Sequence, residues 1–313
     1  MKIYIKWFYW YRNFWDEIIF FWLINYLQKK YNPENFTVEV WSTSWMQQRI
    51  NQNSQFLDSG ILDKIDFVEN MEISRRLKQF QSFLWIDKYK KYFKVFWWWE
   101  VFDENRKFPH DGRNLPILHH YCIKKWNFIL VWWIWTDHCK RTKLLFKKIL
   151  HKANEIVCRE SISVERSKKY GAKNVVLFQD FSKNVLLSEN SIKWKKESDR
   201  YVLINISPKY FTPDNINKIK KFSDKFENKY KKIFFPADIN LDKKYYSEVR
   251  KLIPDLEIYD WTRHSLSDTI NLFKSCEWWI WSRLHFLYPL KIFNKNFENI
   301  ANSDKIQKMI NNS

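Results

Sequence analysis

Glycine is almost missing from this chain. There are 3 glycines in 313 residues, where average usage near ~7% would give roughly 22. Cysteine is also scarce. The four present (Cys122, Cys139, Cys158 and Cys276) form no CxxC pair and no metal-ligand spacing, which argues against a disulfide framework or a zinc site and for reduced thiols in a cytosolic protein. No signal peptide is read at the start of the chain. The apolar run Ile18 to Leu27 follows Asp16-Glu17 and is short of the ~20 residues a membrane span needs. Acid is in deficit, with 35 Asp and Glu against 54 Lys and Arg, a net charge of +19. With 28% charged and 45% hydrophobic residues, the chain is neither a disordered polyelectrolyte nor a fibrous repeat. The lysine excess accompanies many Asn, Ile, Phe and Tyr, the composition of an AT-rich genome. An anionic substrate or an anionic membrane surface would add a functional reason for it.

What is present in excess is tryptophan, with 19 residues. Tryptophan and glycine together number 22, the glycine count expected of an ordinary chain. Some bacteria read UGA as glycine where other translation tables give tryptophan, and a gene translated with the wrong table would convert one into the other. The positions fit. Trp97-Trp98-Trp99 follow the apolar run Phe93 to Phe96, Trp132-Trp133 and Trp135 follow Phe128 to Val131, and Trp278, Trp279 and Trp281 bracket Ile280. Each cluster is read as a strand-to-loop boundary, where permissive backbone and close ligand approach favour glycine. Consecutive indoles there would crowd one another. The alternative is an aromatic carbohydrate-binding surface.

Short β-rich runs alternate with helical periods, the pattern of parallel α/β units. Strands are expected at 2–6, 36–41, 93–96, 127–131, 155–158 and 174–178. Asp16 reads as an N-cap for a helix over 17–30, and further helices are expected near 114–125, 138–151 and 160–170. The polar stretch 182–200 reads as a linker. A second series follows, with strands at 201–206, 232–236, 256–259 and 276–280. Its helices are expected near 213–229, 241–253, 265–275, from Ser282 onward, and near 303–311. No internal repeat is visible. The expected architecture is α/β, with two Rossmann-like domains facing across a cleft. The first covers 1–185, the linker 186–200 and the second 201–313.

Ligands of such sheets bind at the carboxyl ends of the strands. After the first strand lies Trp7 to Glu17, which with glycine for tryptophan is a Gly-rich loop opening a helix, suited to anions. After 155–158 comes Arg159, able to hold a carboxylate or phosphate with two hydrogen bonds; a surface ion pair with Glu160 or Glu165 is its plain alternative. After 276–280 come Trp281-Ser282-Arg283-Leu284-His285, with Arg and His two apart at the cleft mouth. A helix-start histidine bonded to a backbone carbonyl is the plain reading of His285.

These segments, in this order, resemble the polysaccharide pyruvyl transferases. Asn13-Phe14-Trp15-Asp16-Glu17 is similar to N-x-G-D-E, Trp97-Trp98-Trp99 to G-G-G, Trp133-Ile134-Trp135 to G-I-G, Arg159-Glu160-Ser161 to the start of R-[DE]-x-S, and the 282–285 segment to the S-x-R-L-H pattern near the family's C-terminal end. The likeness improves when tryptophan stands for glycine. After Arg-Leu-His the chain runs on as Pro289-Leu290-Lys291, without the Gly-Pro turn of longer members. The resemblance implies a fold like the GT-B glycosyltransferases. It implies transfer of a pyruvyl group from phosphoenolpyruvate to a sugar or lipid-linked glycan, giving a pyruvate ketal of a cell-surface glycan. It implies catalytic roles for Arg283, His285 and Arg159, and substrate contacts for Asn13, Asp16, Ser282 and Leu284. His285 would move protons, because histidine ordinarily titrates near neutrality, and the arginines would clamp the donor's anionic groups.

No cofactor and no metal are expected. His110, Asp111 and His119-His120 lack a third ligand at metal spacing, Asp137-His138 reads as a helix cap, Asp180 could close the cleft or form a hinge, and Lys305 reads as solvated. Location is expected in the cytoplasm, including peripheral contact with the inner membrane face, and no nucleic-acid partner is expected. Two rival readings stand beside this one. A GT-B glycosyltransferase using a nucleotide sugar would need a ribose carboxylate such as Glu277 or Asp260. A non-catalytic basic protein binding glycan or nucleic acid would use genuine tryptophans for stacking.

Overall fold

In the computed structural model the chain is described over residues 1–7, 12–69, 91–98, 127–132, 147–158, 161–178, 181–188, 200–226 and 229–301. It divides into two compact units. The first comprises Met1–Tyr9, Ile24–Asn51 and Leu57–Phe181; the second comprises Trp10–Leu23, Gln52–Phe56 and Ser182–Ser313.

The first unit holds a seven-stranded, all-parallel sheet in the order β3-β2-β1-β4-β5-β6-β7. Its strands are β1 (Lys2–Trp7), β2 (Asn35–Val40), β3 (Ile65–Glu69), β4 (Phe93–Trp98), β5 (Phe128–Trp132), β6 (Glu155–Cys158) and β7 (Val175–Leu177). The central strands are predominantly apolar, the pattern of strands covered on both faces, interrupted by Lys6, Lys94 and Glu155; Ile3, Ile5, Val95, Ile129 and Val157 are fully buried. The second unit holds a five-stranded parallel sheet, β10-β9-β8-β11-β12, made of β8 (Tyr201–Ile204), β9 (Lys231–Phe234), β10 (Leu256–Ile258), β11 (Cys276–Trp281) and β12 (Asn296–Asn299). Its core joins Val202, Ile204, Phe234 and Ile280 of the strands to Ile219 and Phe222 of the helix Pro213–Asp224. The α/β class and the Rossmann-like strand orders expected from the alternating pattern are therefore present.

Two strands escaped the sequence reading, β3 and β12. Both are half-exposed sheet edges; β12 (NFEN) is polar and β3 (IDFVE) is broken by Asp66 and Glu69, so neither shows the continuous apolar run that marks a covered strand. The helix α1 runs over Phe14–Tyr31, not 17–30. Asn13 is its cap, its Oδ1 accepting the backbone N–H of Trp15 at 3.0 Å. Asp16 lies in the first turn instead of at the cap. The start was hard to read because Phe14 to Ile24 are buried on every face of the helix, leaving no polar stripe. A helix α2 over Thr43–Gln52 was also missed, for the opposite reason: its buried positions are few, Met46, Arg49 and Ile50. The segment from Ser282 is a 3-10 turn, Leu284–Phe286, before the helix Leu287–Ile292. The helices expected at 114–125 and 303–311 lie outside the described residues, as does most of the linker.

Several tryptophans lie at strand ends, where the recoding idea expects glycine. β1, β4, β5 and β11 all end on tryptophan, at Trp7, Trp98, Trp132 and Trp281. Parallel register sets Trp7 beside Trp97 and Trp98 beside Trp132. These are central strands, and their carboxyl ends are where backbone and ligand approach most closely. No tryptophan is among the described residues with left-handed backbone, which are Arg12, Asn32 and Asn294 besides two glycines. Trp278 and Trp279 lie within β11 instead of beyond it. Trp15, Trp279 and Trp281 are buried, and among the described residues none of their indole N–H groups has an acceptor. Each such orphan costs about 1–3 kcal/mol. Trp261 is different: also fully buried, it donates to the Pro236 carbonyl at 2.8 Å, as buried tryptophans usually do.

This contrast separates two kinds of tryptophan. Codons 15, 279 and 281 are expected to be UGA and codon 261 UGG. Trp279→Gly and Trp281→Gly raise the soluble yield of the expressed protein, whereas Trp261→Gly lowers it. Codon counts from the gene and the soluble fraction after lysis check this; a UGG codon at all four positions defeats it.

Candidate functional site

The site is built at the carboxyl ends of the second sheet. It starts with a backbone contact. Phe14 N–H donates to the Ala237 carbonyl at 2.9 Å and Ile239 N–H donates to the Arg12 carbonyl at 3.2 Å, so Asn13 and Asp238 pair as an isolated antiparallel bridge. This brings the N-terminal motif into the second unit. Phe14 then packs edge-on against Phe235, Trp261 and Phe273, with ring centroids 5.3 to 5.5 Å apart. Arg12 supplies the sharp entry into the helix with a left-handed φ of 66°.

Three residues of the N-terminal motif have structural partners. Asn13 caps α1. Asp16 and Glu17 are both buried in its first turn, where the helix dipole favours negative charge. Glu17 Oε1 accepts from Asn53 Nδ2 at 3.0 Å, and Asn53 Oδ1 accepts the Leu266 N–H at 2.6 Å, the first N–H of the helix Leu266–Ser275. Sequence reading gave Asn53 no role. Nothing local marks it, because its two partners are 36 and 213 residues away.

On the other side of the site, Ser282 is buried, and its Oγ accepts the Ser207 N–H at 2.7 Å. It ties the end of β11 to the end of β8. Arg283 points to Asp242, with Nε to Oδ2 at 2.9 Å and Nη2 to Oδ1 at 2.5 Å. Asp242 is fully buried; the Arg283 side chain keeps 22% of its surface in solvent. Asp242 ends the short helix Ile239–Asp242, and Asp238 caps it by accepting the Leu241 N–H at 3.0 Å. Neither aspartate was singled out from the sequence. The Asp238 and Asp242 pair could have been noticed only as carboxylates following an expected strand at 232–236.

His285 lies in the turn after Arg283, half-buried. Its ring is 5.9 Å from that of Trp15, which also meets Phe273 and Phe286. An indole at position 15 fills the space beside this histidine; a glycine would leave that side of it open. Leu284 lies in the same 3-10 turn. Arg159 lies outside the described residues, as do His110, Asp111, His119, His120, Asp137, His138, Asp180 and Lys305. The structure thus collects Asn13, Asp16, Ser282, Arg283 and His285 in one compact unit; the expectation of opposite sides of a cleft had put the first two across from the others. Among the described residues no group of three His, Cys, Asp or Glu side chains could hold a metal, and no helix is long and apolar enough to cross a membrane. The carboxylates a nucleotide ribose would need are engaged, Glu277 with Tyr230 and Arg200 and Asp260 with Thr262 and Lys243.

Residues 140–287 match the family model of the polysaccharide pyruvyl transferases. The match bears out the resemblance over a stretch containing Arg159, Asp238, Asp242, Arg283 and His285. No curated protein matches the chain. Among solved structures, it is similar to the UDP-GlcNAc 2-epimerase from Neisseria meningitidis bound to UDP-GlcNAc, at 8% identity and TM-score 0.65, covering 99% of this chain and 85% of that one. It is likewise similar to the UDP-GlcNAc 2-epimerase from Methanocaldococcus jannaschii, at 11% identity and TM-score 0.63, covering 99% and 86%. A glycosyltransferase from Rickettsia africae follows at 12% identity and TM-score 0.53, covering 97% and 80%. At such identities the likeness is one of fold, two Rossmann-like α/β domains of GT-B-like type.

Burial raises the Asp238 carboxyl above its ordinary pKa of 3.8; the Leu241 N–H and the Arg283 guanidinium pull it down, and the Asp242 carboxylate pushes it up again, leaving it raised. Folded Asp238 therefore keeps its proton to higher pH than the unfolded chain does, and its ionisation subtracts stability as pH rises from 3.8 to the raised value. Asp238→Asn keeps the cap acceptor but cannot ionise. The Tm of the variant minus that of the parent is expected to grow between about pH 3 and about pH 7, measured by thermal unfolding across that range. A constant difference contradicts the raised carboxyl.

Proposed function

We propose that this chain, a polysaccharide pyruvyl transferase family sequence over residues 140–287, transfers the pyruvyl group of phosphoenolpyruvate to a sugar or lipid-linked glycan and leaves a cyclic pyruvate ketal. The observation that carries the reading is the turn Ser282-Arg283-Leu284-His285 at the carboxyl end of the central strand β11. It sets a guanidinium and an imidazole two residues apart where sheets of this kind bind ligands.

The reaction needs both groups. The donor's carboxylate and phosphate call for guanidinium partners, and Arg283 together with Arg159 supplies them. Ketal formation adds a proton to the enol carbon C3 and joins one sugar hydroxyl oxygen to C2. The C2–O bond to phosphate then breaks with its electron pair on phosphate, and a second hydroxyl closes the ring on C2. Two hydroxyl protons are lost and one is gained at C3; inorganic phosphate leaves with the balance. His285 gives the proton to C3 as imidazolium and takes one back from a hydroxyl, work an imidazole side chain is suited to. Asn13, Asp16, Ser282 and Leu284 border the bound substrates. No cofactor beyond the donor takes part. The reaction fits a cytoplasmic enzyme working at the inner face of the membrane, where a surplus of lysine favours anionic lipid.

A protein with glycine at the UGA positions, supplied with phosphoenolpyruvate and a glycan acceptor, is expected to release phosphate only when both are present. His285→Ala lowers kcat by about 100-fold or more, the contribution of a general acid–base group, and leaves donor binding nearly unchanged. Arg283→Lys raises the donor KM by about tenfold, since an ammonium cannot reproduce the two-bond fork. Phosphate-release kinetics read both. Parental turnover in His285→Ala removes this histidine from the chemistry, and acceptor-independent release removes the transferase reading.

A further inference from the structure

The guanidinium of Arg283 is not free to search for its ligand. Its Nε–H and one Nη2–H are both taken by the Asp242 carboxylate. A guanidinium carries five N–H groups, arranged so that two different edges can each bind a carboxylate or phosphate with two bonds. Asp242 occupies the Nε/Nη2 edge. The Nη1/Nη2 edge keeps its donors and faces away from Asp242, on a side chain that retains solvent access.

Asp242 is itself immobilised. It is fully buried, its Oδ2 also accepts the Asp238 N–H at 3.2 Å, and its backbone N–H bonds the Asp238 carbonyl at 2.7 Å. Asp238 in turn sits in the bridge to Asn13. The orientation of the arginine thus descends, bond by bond, from the backbone pairing of 12–14 with 237–239. We infer that Asp242 is a positioning residue that locks Arg283 with its outer edge turned to the anionic end of the donor. This rests on the reading of Arg283 as a donor-binding residue. A long side chain with four rotatable bonds loses much entropy when a ligand orders it; one already held by a buried carboxylate loses little. The pair also desolvates Asp242 safely, since a buried carboxylate needs a paired charge.

The test uses the full chain with glycine at the UGA positions. Asp242→Asn keeps the shape of the side chain but replaces one acceptor oxygen with a donor. The donor KM is expected to rise about tenfold with kcat within about threefold of the parent. Added to Arg283→Lys, the same change gives no further rise, because it acts only through the arginine. A KM within about twofold of the parent, or an equal rise in both backgrounds, overturns the inference. Asp242→Glu is the second variant should the first not fold; it keeps the charge but displaces it by one methylene, and the same KM rise is expected. A readout independent of catalysis is hydrogen exchange at the Arg283 Nε–H, followed by NMR with nitrogen-15 arginine. It is expected to be slow in the parent and fast in Asp242→Asn. Fast exchange in the parent, or equal rates in both, overturns the fork. If the parent shows slow exchange but no phosphoenolpyruvate-dependent turnover, the transferase reading fails while the lock on Arg283 stands.

Discussion

Two backbone hydrogen bonds, from Phe14 to Ala237 and from Ile239 to Arg12, govern the candidate site. They take a motif that follows the first strand of one sheet and attach it to the loop after the second strand of the other. Everything near Arg283 then follows from geometry. Asp238 is held in the bridge, the short helix after it is capped, and Asp242 emerges at its end facing the guanidinium. The attachment is backbone to backbone and depends on the left-handed conformation of residue 12.

The aromatic cluster behind this seam supplies its stability. Phe14, Phe235, Phe273 and Phe286 are fully buried and meet one another edge to face or tilted, the arrangement that ring quadrupoles favour. Each such ring removes about 150–250 Å² from water, so the cluster outweighs the cost of ordering one loop. Trp15 enters the same cluster but brings an indole N–H that finds no acceptor among the described residues. Trp261 enters it with its N–H satisfied. The difference is one of hydrogen bonding and not of burial, which is why composition could raise the question of recoding but could not sort the tryptophans individually.

Charge at the site is arranged as a buried acidic pair facing one arginine. Asp238 and Asp242 would repel one another if both were ionised without a partner; the raised Asp238 carboxyl and the Asp242 to Arg283 fork share the work of avoiding that. Elsewhere the chain solves the same problem differently. Glu155, buried in β6, is held by Tyr26, Tyr31 and Lys30, and the burial of those tyrosines together with the Glu155 charge raises their pKa values. Among the described residues, Glu155 and Asp242 are both buried carboxylates held by charged or hydroxyl donors, and the guanidinium at Asp242 retains solvent access.

Local chemistry determined much. Alternating apolar runs and helical periods were enough for parallel α/β units, because a strand covered on both faces is predominantly apolar, as in β5. Ordered short motifs were enough to point to Ser282, Arg283 and His285 and to the family matched over 140–287. The edge strands β3 and β12 stayed hidden because an exposed edge needs few apolar residues. The start of α1 stayed hidden because a helix buried on all sides has no stripe to read. Tertiary structure alone decided that Asn53 links Glu17 to Leu266 and that Asp242 holds Arg283. These are contacts between residues 36, 213 and 41 positions apart. A hydrogen bond over such distances leaves no periodicity in the chain, since its two ends are brought together by the sheets and not by anything adjacent to them in sequence.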